Sequence, residues 1–381
     1  MTSQYLRKIR ENSGLLIICI LLIAVKLASV AAYGQTYGMV TYAVSHYIRN
    51  ETASEVLSLR QDELGRPFQY LFLRFDSSYY LEMAKYGYSN EQVFAFAPGY
   101  PLLARMVSWL GVPPAVSLVL VSNILGFLSV VLLYHVARLY LSHTESLLAA
   151  ALFAFYPYNI ISWTIAYSDS AFAVFSLLSW LMFERKRYGW CGAATLVASL
   201  VRFQGMLLYA IYSLIILSRW RKGQTIDTAR SLAVVNITLL LPVYWLFVQI
   251  PSFTGISYTM VQAKYWNGVF SYPLSCLLIL AGHVISAINL PFIAFICAFG
   301  LLAYRIRPEF ALYTLVFSAF YLSLSGTSAR YFGTVWPAFI YAGQTLSGAS
   351  SRIPVHYITI ILFAALGVFL LVLQMNSLFI C

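Results

Sequence analysis

Only four aspartates occur in the 381 residues: Asp62, Asp76, Asp169 and Asp227. An ionised carboxylate can take a proton from an attacking hydroxyl when it lies within hydrogen-bond reach of it. Two of the four stand in polar patches of otherwise apolar sequence, Asp76 in LRFDSSYYLEMAKYGYSNEQVFAFAPGYP (residues 73–101) and Asp169 in IAYSDSAFA. Isolated cations are the second signal: Arg202 in SLVRFQGML, Lys264 in VQAKYWNGVF and Arg330 in SGTSARYFG. A charge near the middle of a membrane span costs about 2.5–3.5 kcal/mol on insertion scales, so it needs a partner or a wet cavity. Two carboxylates and three cations together suit proton abstraction beside a bound anion such as phosphate. Each residue also has a plainer reading. Asp76 before two serines, and Ser168 or Asp169 before an apolar run, make good helix N-caps, and lone Lys and Arg side chains snorkel to headgroups. Glu82 does not pair with Asp76, because six residues on a helix turn it about 120° away.

The elements that must position these groups are membrane helices. Hydrophobic residues make up 61% of the chain and charged residues 10%, against about 25% charged in soluble domains. The net charge of +11 is read as basic loops obeying the positive-inside rule, and no nucleic-acid motif accompanies it. Helices are expected near 15–32, 114–140, 145–160, 166–183, 188–201, 204–218, 231–250, 284–303, 309–325, 332–347 and 355–376. The expected fold is therefore an all-α polytopic bundle of about 11 transmembrane helices, with residues 1–381 forming one transmembrane domain. Its basic start before an apolar run is read as an uncleaved first helix.

Arg7, Lys8 and Arg10, then Arg138, Arg185–Arg187, Arg219–Lys222 with Arg230, Arg305 with Arg307, and Arg352 fall in alternate loops. That alternation assigns them to the inside and puts the first long loop, residues 33–113, outside. The candidate site residues map to that outer side, and the sequon Asn50-Glu51-Thr52 agrees with it. Phe72, Phe75, Tyr79, Met83 and Tyr86 recur at helical spacing, which predicts an interfacial helix with its aromatic stripe in lipid and Gly87 at its end.

Other chemistries are excluded by what is missing. There is no DxD, HExxH, GxSxG, Walker loop or GxGxxG. His46, His135, His143, His283 and His356 are scattered, and Cys19, Cys191, Cys276, Cys297 and Cys381 show no CxxC. No metal site, disulfide framework or cofactor is expected.

Five blocks taken in order, RFDSSYYLEMAKYGY with VFAFAPGYPLLAR, AYSDSAFAVFS, LVRFQGML, VQAKYWNGVF and ARYFGTVWPAF, resemble the PIG-V family of GPI mannosyltransferases. That family belongs to the GT-C superfamily of polytopic glycosyltransferases using polyprenyl-phosphate sugars. The resemblance implies a catalytic Asp in the first external loop, which maps to Asp76. The family's usual Arg-Trp-Asp has Phe75 in place of Trp, and its usual Glu in the second block is Asp169. Its Arg-Ser-Asn-Gly keeps Arg202 and Gly205 around Phe203 and Gln204. In the fourth block Tyr265, Trp266, Asn267 and Phe270 match, while Gly268 and Val269 are exchanged in order.

The function expected from residues and resemblance together is metal-independent, inverting transfer of mannose from a dolichyl- or polyprenyl-phosphate donor to a glycan or glycolipid hydroxyl. Asp76 is the expected base, and Arg202, Lys264 and Arg330 the donor-phosphate ligands. Asp169, Tyr79, Tyr80, Tyr265, Trp266, Asn267 and Tyr331 are expected to bind substrate, aromatic faces packing on sugar C–H surfaces. Membrane lipid is an expected partner, nucleic acid is not, and a small membrane subunit is left open. The chain's shortness favours a prokaryotic relative in the plasma membrane, or the ER membrane if eukaryotic, with the site on the outer or lumenal face. The alternatives are another lipid-phosphate sugar, a lipid-phosphate transporter or flippase, and a non-catalytic membrane subunit.

Overall fold

The computed structural model describes residues 13–33, 72–73, 75–223, 228–266, 288–324, 327–348 and 355–375. Their regular structure is helical. The elements are α1 Ser13–Tyr33, α2 Asp76–Tyr86, α3 Gly99–Ser108, α4 Pro114–Ala137, α5 His143–Phe155, α6 Pro157–Thr164, α7 Asp169–Glu184 and α8 Tyr188–Val201. They continue with α9 Leu207–Arg221, α10 Thr228–Thr254, α11 Tyr258–Trp266, α12 Asn289–Leu302, α13 Pro308–Leu322, α14 Ala329–Phe332, α15 Pro337–Gly348 and α16 Val355–Met375.

Among the described residues, five helical stretches are long and apolar enough to cross a membrane: α1, α4, Phe203–Arg221, α10 and α16. A sixth is made by α5 and α6 if that pair, bent by 60°, is one span. The expected helix over 145–160 is this broken pair. Pro157 stands at the first position of α6, where its missing N–H interrupts the ladder. Helix α7 has 16 residues, about 24 Å at 1.5 Å per residue. It lies between α4 and α8, and nearly every side chain it carries is buried. A helix enclosed by others need not reach either headgroup layer. By contrast α10, with exposed Ile237, Leu240, Phe247 and Phe253, and α16, with exposed Ile361 and Phe369, present apolar flanks outward, as lipid-facing helices must.

The helix expected in the first loop forms, and Gly87 ends it with φ +75°. Its phase differs from expectation. The stripe through Phe72, Phe75, Tyr79 and Met83 presumes one continuous helix. Phe75 instead has φ +51°, in the left-handed region, and α2 starts only at Asp76. The face that results, Ser77, Tyr80, Met83 and Ala84, is buried against protein. Exposed apolar side chains occur on the next helix and its exit, at Leu102, Met106, Trp109 and Leu110. Glu82 is turned away from Asp76 and accepts from Ser89 Oγ and, at 2.5 Å, from Asn90 Nδ2.

Candidate active site

Three breaks between helices carry the site. The first is the start of α2, with Asp76. The second is the start of α7, where residues 165–168 are gathered by Ser122 of α4, whose hydroxyl lies 3.2 Å from the carbonyls of Ser162 and Tyr167. The third is the turn after α8. Arg202 there is extended (φ −148°, ψ 127°), and a short 3-10 turn, Phe203–Met206, folds back on α8. Gly205 permits the fold: a Cβ there would stand 2.5 Å from the backbone nitrogen of Ser199. Gly99 serves likewise at the start of α3, where a Cβ would meet the backbone of Leu200 at 2.7 Å.

The short helix α14 brings Arg330. The backbone of Ala329 is held from both sides, its N–H donating to Asn289 Oδ1 at 2.9 Å and its carbonyl accepting from Tyr156 Oη at 3.2 Å. The side chain that follows is therefore aimed from the start of α12 and from the break between α5 and α6.

Four charges converge. Arg202 Nη2 donates to Asp169 Oδ2 at 3.1 Å, Arg202 Nη1 lies 3.0 Å from Asp169 Oδ1, and Arg202 Nε donates to Ser168 Oγ at 3.0 Å. Arg330 Nη2 donates to Asp76 Oδ2 at 3.0 Å, while Arg330 Nε lies 3.8 Å from Asp169 Oδ2. The order is Arg202, Asp169, Arg330, Asp76, with signs alternating. Burial opposes the charge on both arginines. For Arg202 the Asp169 carboxylate together with Tyr80 and Tyr321 offsets it; for Arg330 Tyr331, Asp169 and Asp76 do, so both are held above the usual guanidinium range. The Arg330 guanidinium lies 4.4 Å from the Tyr167 ring centroid and 4.9 Å from that of Tyr331, aromatic contacts that lower the cost of burying it. Among the described residues, its Nε and Nη1 have no hydrogen-bond partner.

Asp76, Arg202, Arg330, Tyr80 and Tyr331 line one cavity of about 80 Å³ together with Phe96, Ala97, Val201, Phe203, Gln204 and Tyr258. Tyr80 Oη is 3.0 Å from Ser168 Oγ, and burial pushes its phenol pKa up. Neither aspartate acts as a cap: both begin helices whose N-termini show no side-chain cap hydrogen bond. An arginine has claimed each carboxylate instead. Asp169 has no exposed surface and does not line the cavity, and its carboxylate faces the two arginines.

Other expected site residues lie elsewhere. Lys264, its side chain 54% exposed, pairs with Glu91 at 2.8 Å, and Tyr265 Oη donates to the same carboxylate at 2.8 Å. The hydrogen bonds from Lys264 and Tyr265 hold the Glu91 carboxyl below its usual range. With Gln262 Nε2 donating to the Ala95 carbonyl at 2.8 Å, these contacts fasten α11 to residues 91–95. Lys264 is thus a clasp to Glu91 and does not line the cavity. Tyr79 stacks on Phe96 at 5.1 Å and is not in the lining. Trp266 ends α11, and Asn267 lies outside the described residues. No cluster of three His, Cys, Asp or Glu that could hold a metal occurs among the described residues.

The family model described as Mannosyltransferase (PIG-V) matches residues 39–235, just over half of the chain. The mouse protein GPI alpha-1,6-mannosyltransferase 2 is 29% identical over 188 residues, which cover 44% of this chain and 38% of that one. The match thus spans well under half of the mouse protein's length. Among solved structures, ArnT from Cupriavidus metallidurans, crystallised with undecaprenyl phosphate, superposes with a TM-score of 0.52 at 18% identity. That superposition covers 78% of this chain and 61% of ArnT. The fold is the GT-C fold, and the chain belongs to the PIG-V mannosyltransferase family.

Proposed function

We propose that the protein transfers mannose from a polyprenyl-phosphate donor to a hydroxyl of a glycan or glycolipid, with inversion, at the outer or lumenal membrane face. The observation that carries this reading is Arg330: a buried guanidinium on the wall of one polar cavity, its Nη2 meeting the Asp76 carboxylate there. A buried cation of that kind is a ready ligand for a phosphate oxygen.

In the reaction the bond from sugar C1 to the phosphate oxygen breaks, its electron pair remaining on the phosphate. A bond from the acceptor oxygen to C1 forms on the opposite face, and the acceptor's proton passes to Asp76. Arg330 stabilises the charge arriving on the phosphate, each charge-assisted hydrogen bond contributing about 1.5–3 kcal/mol. Arg202, held by Asp169 and Ser168, supports one wall, and Tyr80 and Tyr331 offer aromatic faces to the sugar. The lipid class of the donor follows the family, and ArnT, which shares the fold, was crystallised with such a lipid. The basic loops on the opposite side support the outward assignment.

The test is turnover of dolichyl phosphate mannose by the purified protein with a membrane glycolipid extract as acceptor, beside a panel of other polyprenyl-phosphate sugars. Mannose transfer that Asp76→Asn abolishes is expected. Turnover of another sugar in preference to mannose refutes the donor assignment, and turnover that survives in Asp76→Asn refutes the base.

A further inference from the structure

The resting cavity is electrically balanced in a way that bears on how it takes its substrate. Among the described residues two arginines face two aspartates there, so a bound phosphodiester adds one negative charge with no spare cation in that group to meet it. The two carboxylates differ in how firmly they are held. Asp169 is fully buried and meets Arg202 through both oxygens. Asp76, its side chain 21% exposed, is held through one oxygen by Arg330. Among the described residues that is the single hydrogen bond of its side chain, and no cap bond ties it to its own helix. The Arg330 side chain is only 3% exposed and cannot follow a ligand out of the wall.

From this we infer that Asp76 occupies the phosphate's place on Arg330 while the site is empty, and that donor binding is what frees the base. The inference rests on the donor assignment above. A phosphate anion arriving at Arg330 sets two like charges on one guanidinium, and the weakly tethered one yields. Asp76 then stands in the cavity released from its hydrogen bond to Arg330, where an acceptor hydroxyl can meet it. Proton abstraction is thereby confined to the donor-loaded enzyme. After transfer the proton is on Asp76, leaving it neutral, while the phosphate has gained a charge and remains on Arg330. When Asp76 loses that proton it competes again for Arg330 and displaces the product lipid phosphate. One carboxylate acts as base and as a built-in competitor of both donor and product.

The experiment measures calorimetric binding of farnesyl phosphate, with farnesol as the uncharged control, to the full chain in detergent. Wild type, Asp76→Asn, Asp76→Ala and Arg330→Met are compared, with thermal melts confirming that each is folded. Both Asp76 variants are expected to bind farnesyl phosphate about ten-fold or more tighter than wild type, ten-fold being about 1.4 kcal/mol. Equal or weaker binding by the Asp76 variants, with binding lost in Arg330→Met, overturns the competition and leaves the phosphate site standing. Binding unchanged in Arg330→Met, or farnesol binding as well as farnesyl phosphate, overturns the phosphate site and the competition with it.

Discussion

Arg202 and Asp169 meet along both edges of the carboxylate, at 3.0 and 3.1 Å, where Asp169 has no exposure to solvent. Removing one partner of a buried ion pair leaves the other charge uncompensated, at about 3–5 kcal/mol. Here the penalty is sharpened because Arg330 is also close to Asp169. Asp169→Ala is therefore expected to lower the melting temperature in detergent strongly, and Asp169→Glu, which keeps the charge, much less. Equal melting of both variants with wild type would contradict the pairing.

On the proposed reading Asp76 carries chemistry more than stability, its side chain being 21% exposed where that of Asp169 has no exposure. Asp76→Asn is expected to reduce transfer by about 10²–10⁴-fold, the usual share of a general base, with the melting temperature little changed. A large drop in melting temperature would instead mark Asp76 as a structural partner of Arg330.

Arg202 and Arg330 are chemically alike and are expected to behave differently. Arg330→Lys keeps a charge but loses the planar fork and its aromatic contacts. It should cost about 10–100-fold in kcat/KM, about 1.4–2.8 kcal/mol, read by steady-state kinetics. Arg202→Lys should lose stability first, since all three of its nitrogens serve Ser168 or Asp169.

The folding of the chain around Arg202 is visible in Gly205. A methyl group there meets backbone at 2.5 Å, which nothing nearby can relieve by rotating. Gly205→Ala is expected to destabilise by about 1–3 kcal/mol, as overpacking does. An unshifted melting temperature would show that the turn opens freely.

The clasp from α11 to residues 91–95 carries a pH signature. Hydrogen bonds from Lys264 and Tyr265 lower the Glu91 pKa, and the bonds to Glu91 and Tyr265 raise that of Lys264. The Glu91 contribution is fully present above the unfolded carboxylate value and is lost as pH falls through the lower folded value. That of Lys264 is present below the ordinary lysine range and is lost above the raised one. The melting difference between wild type and Glu91→Gln is thus expected to hold near about pH 7 and vanish toward about pH 3. A difference independent of pH would remove the ion pair as its cause.

Much of the site was legible because charge is rare in an apolar chain and needs a reason. Asp76, Asp169, Arg202 and Arg330 could be picked out on that ground, and the structure gathers them. Which charge meets which was not legible. Lys264 looked equivalent to the two arginines, but its partner Glu91 lies 173 residues away, a distance that periodicity does not bridge. Tyr167 escaped notice because nothing in its type marks a ring lying over a guanidinium. Phe203, Gln204 and Tyr258 line the cavity by virtue of the turn at Gly205 and the placement of α11, both tertiary consequences. The covered face of α2, with Ser77, Tyr80 and Met83, is set by what packs on it, which apolar spacing alone does not reveal.

Helix α7 carries an acid at each end. Asp169 at its start meets Arg202, and Glu184 at its finish meets Arg219 and Arg307, both at 2.8 Å. A rod bolted at both ends cannot slide along its own length without tearing one set of fastenings. The depth of Asp169, and with it that of both arginines, is thus fixed like a datum on a lathe bed. On the proposed reading, any motion that admits a long lipid and releases it comes from the other jaw, α2 and α11, the latter fastened by the partly exposed pair of Lys264 and Glu91.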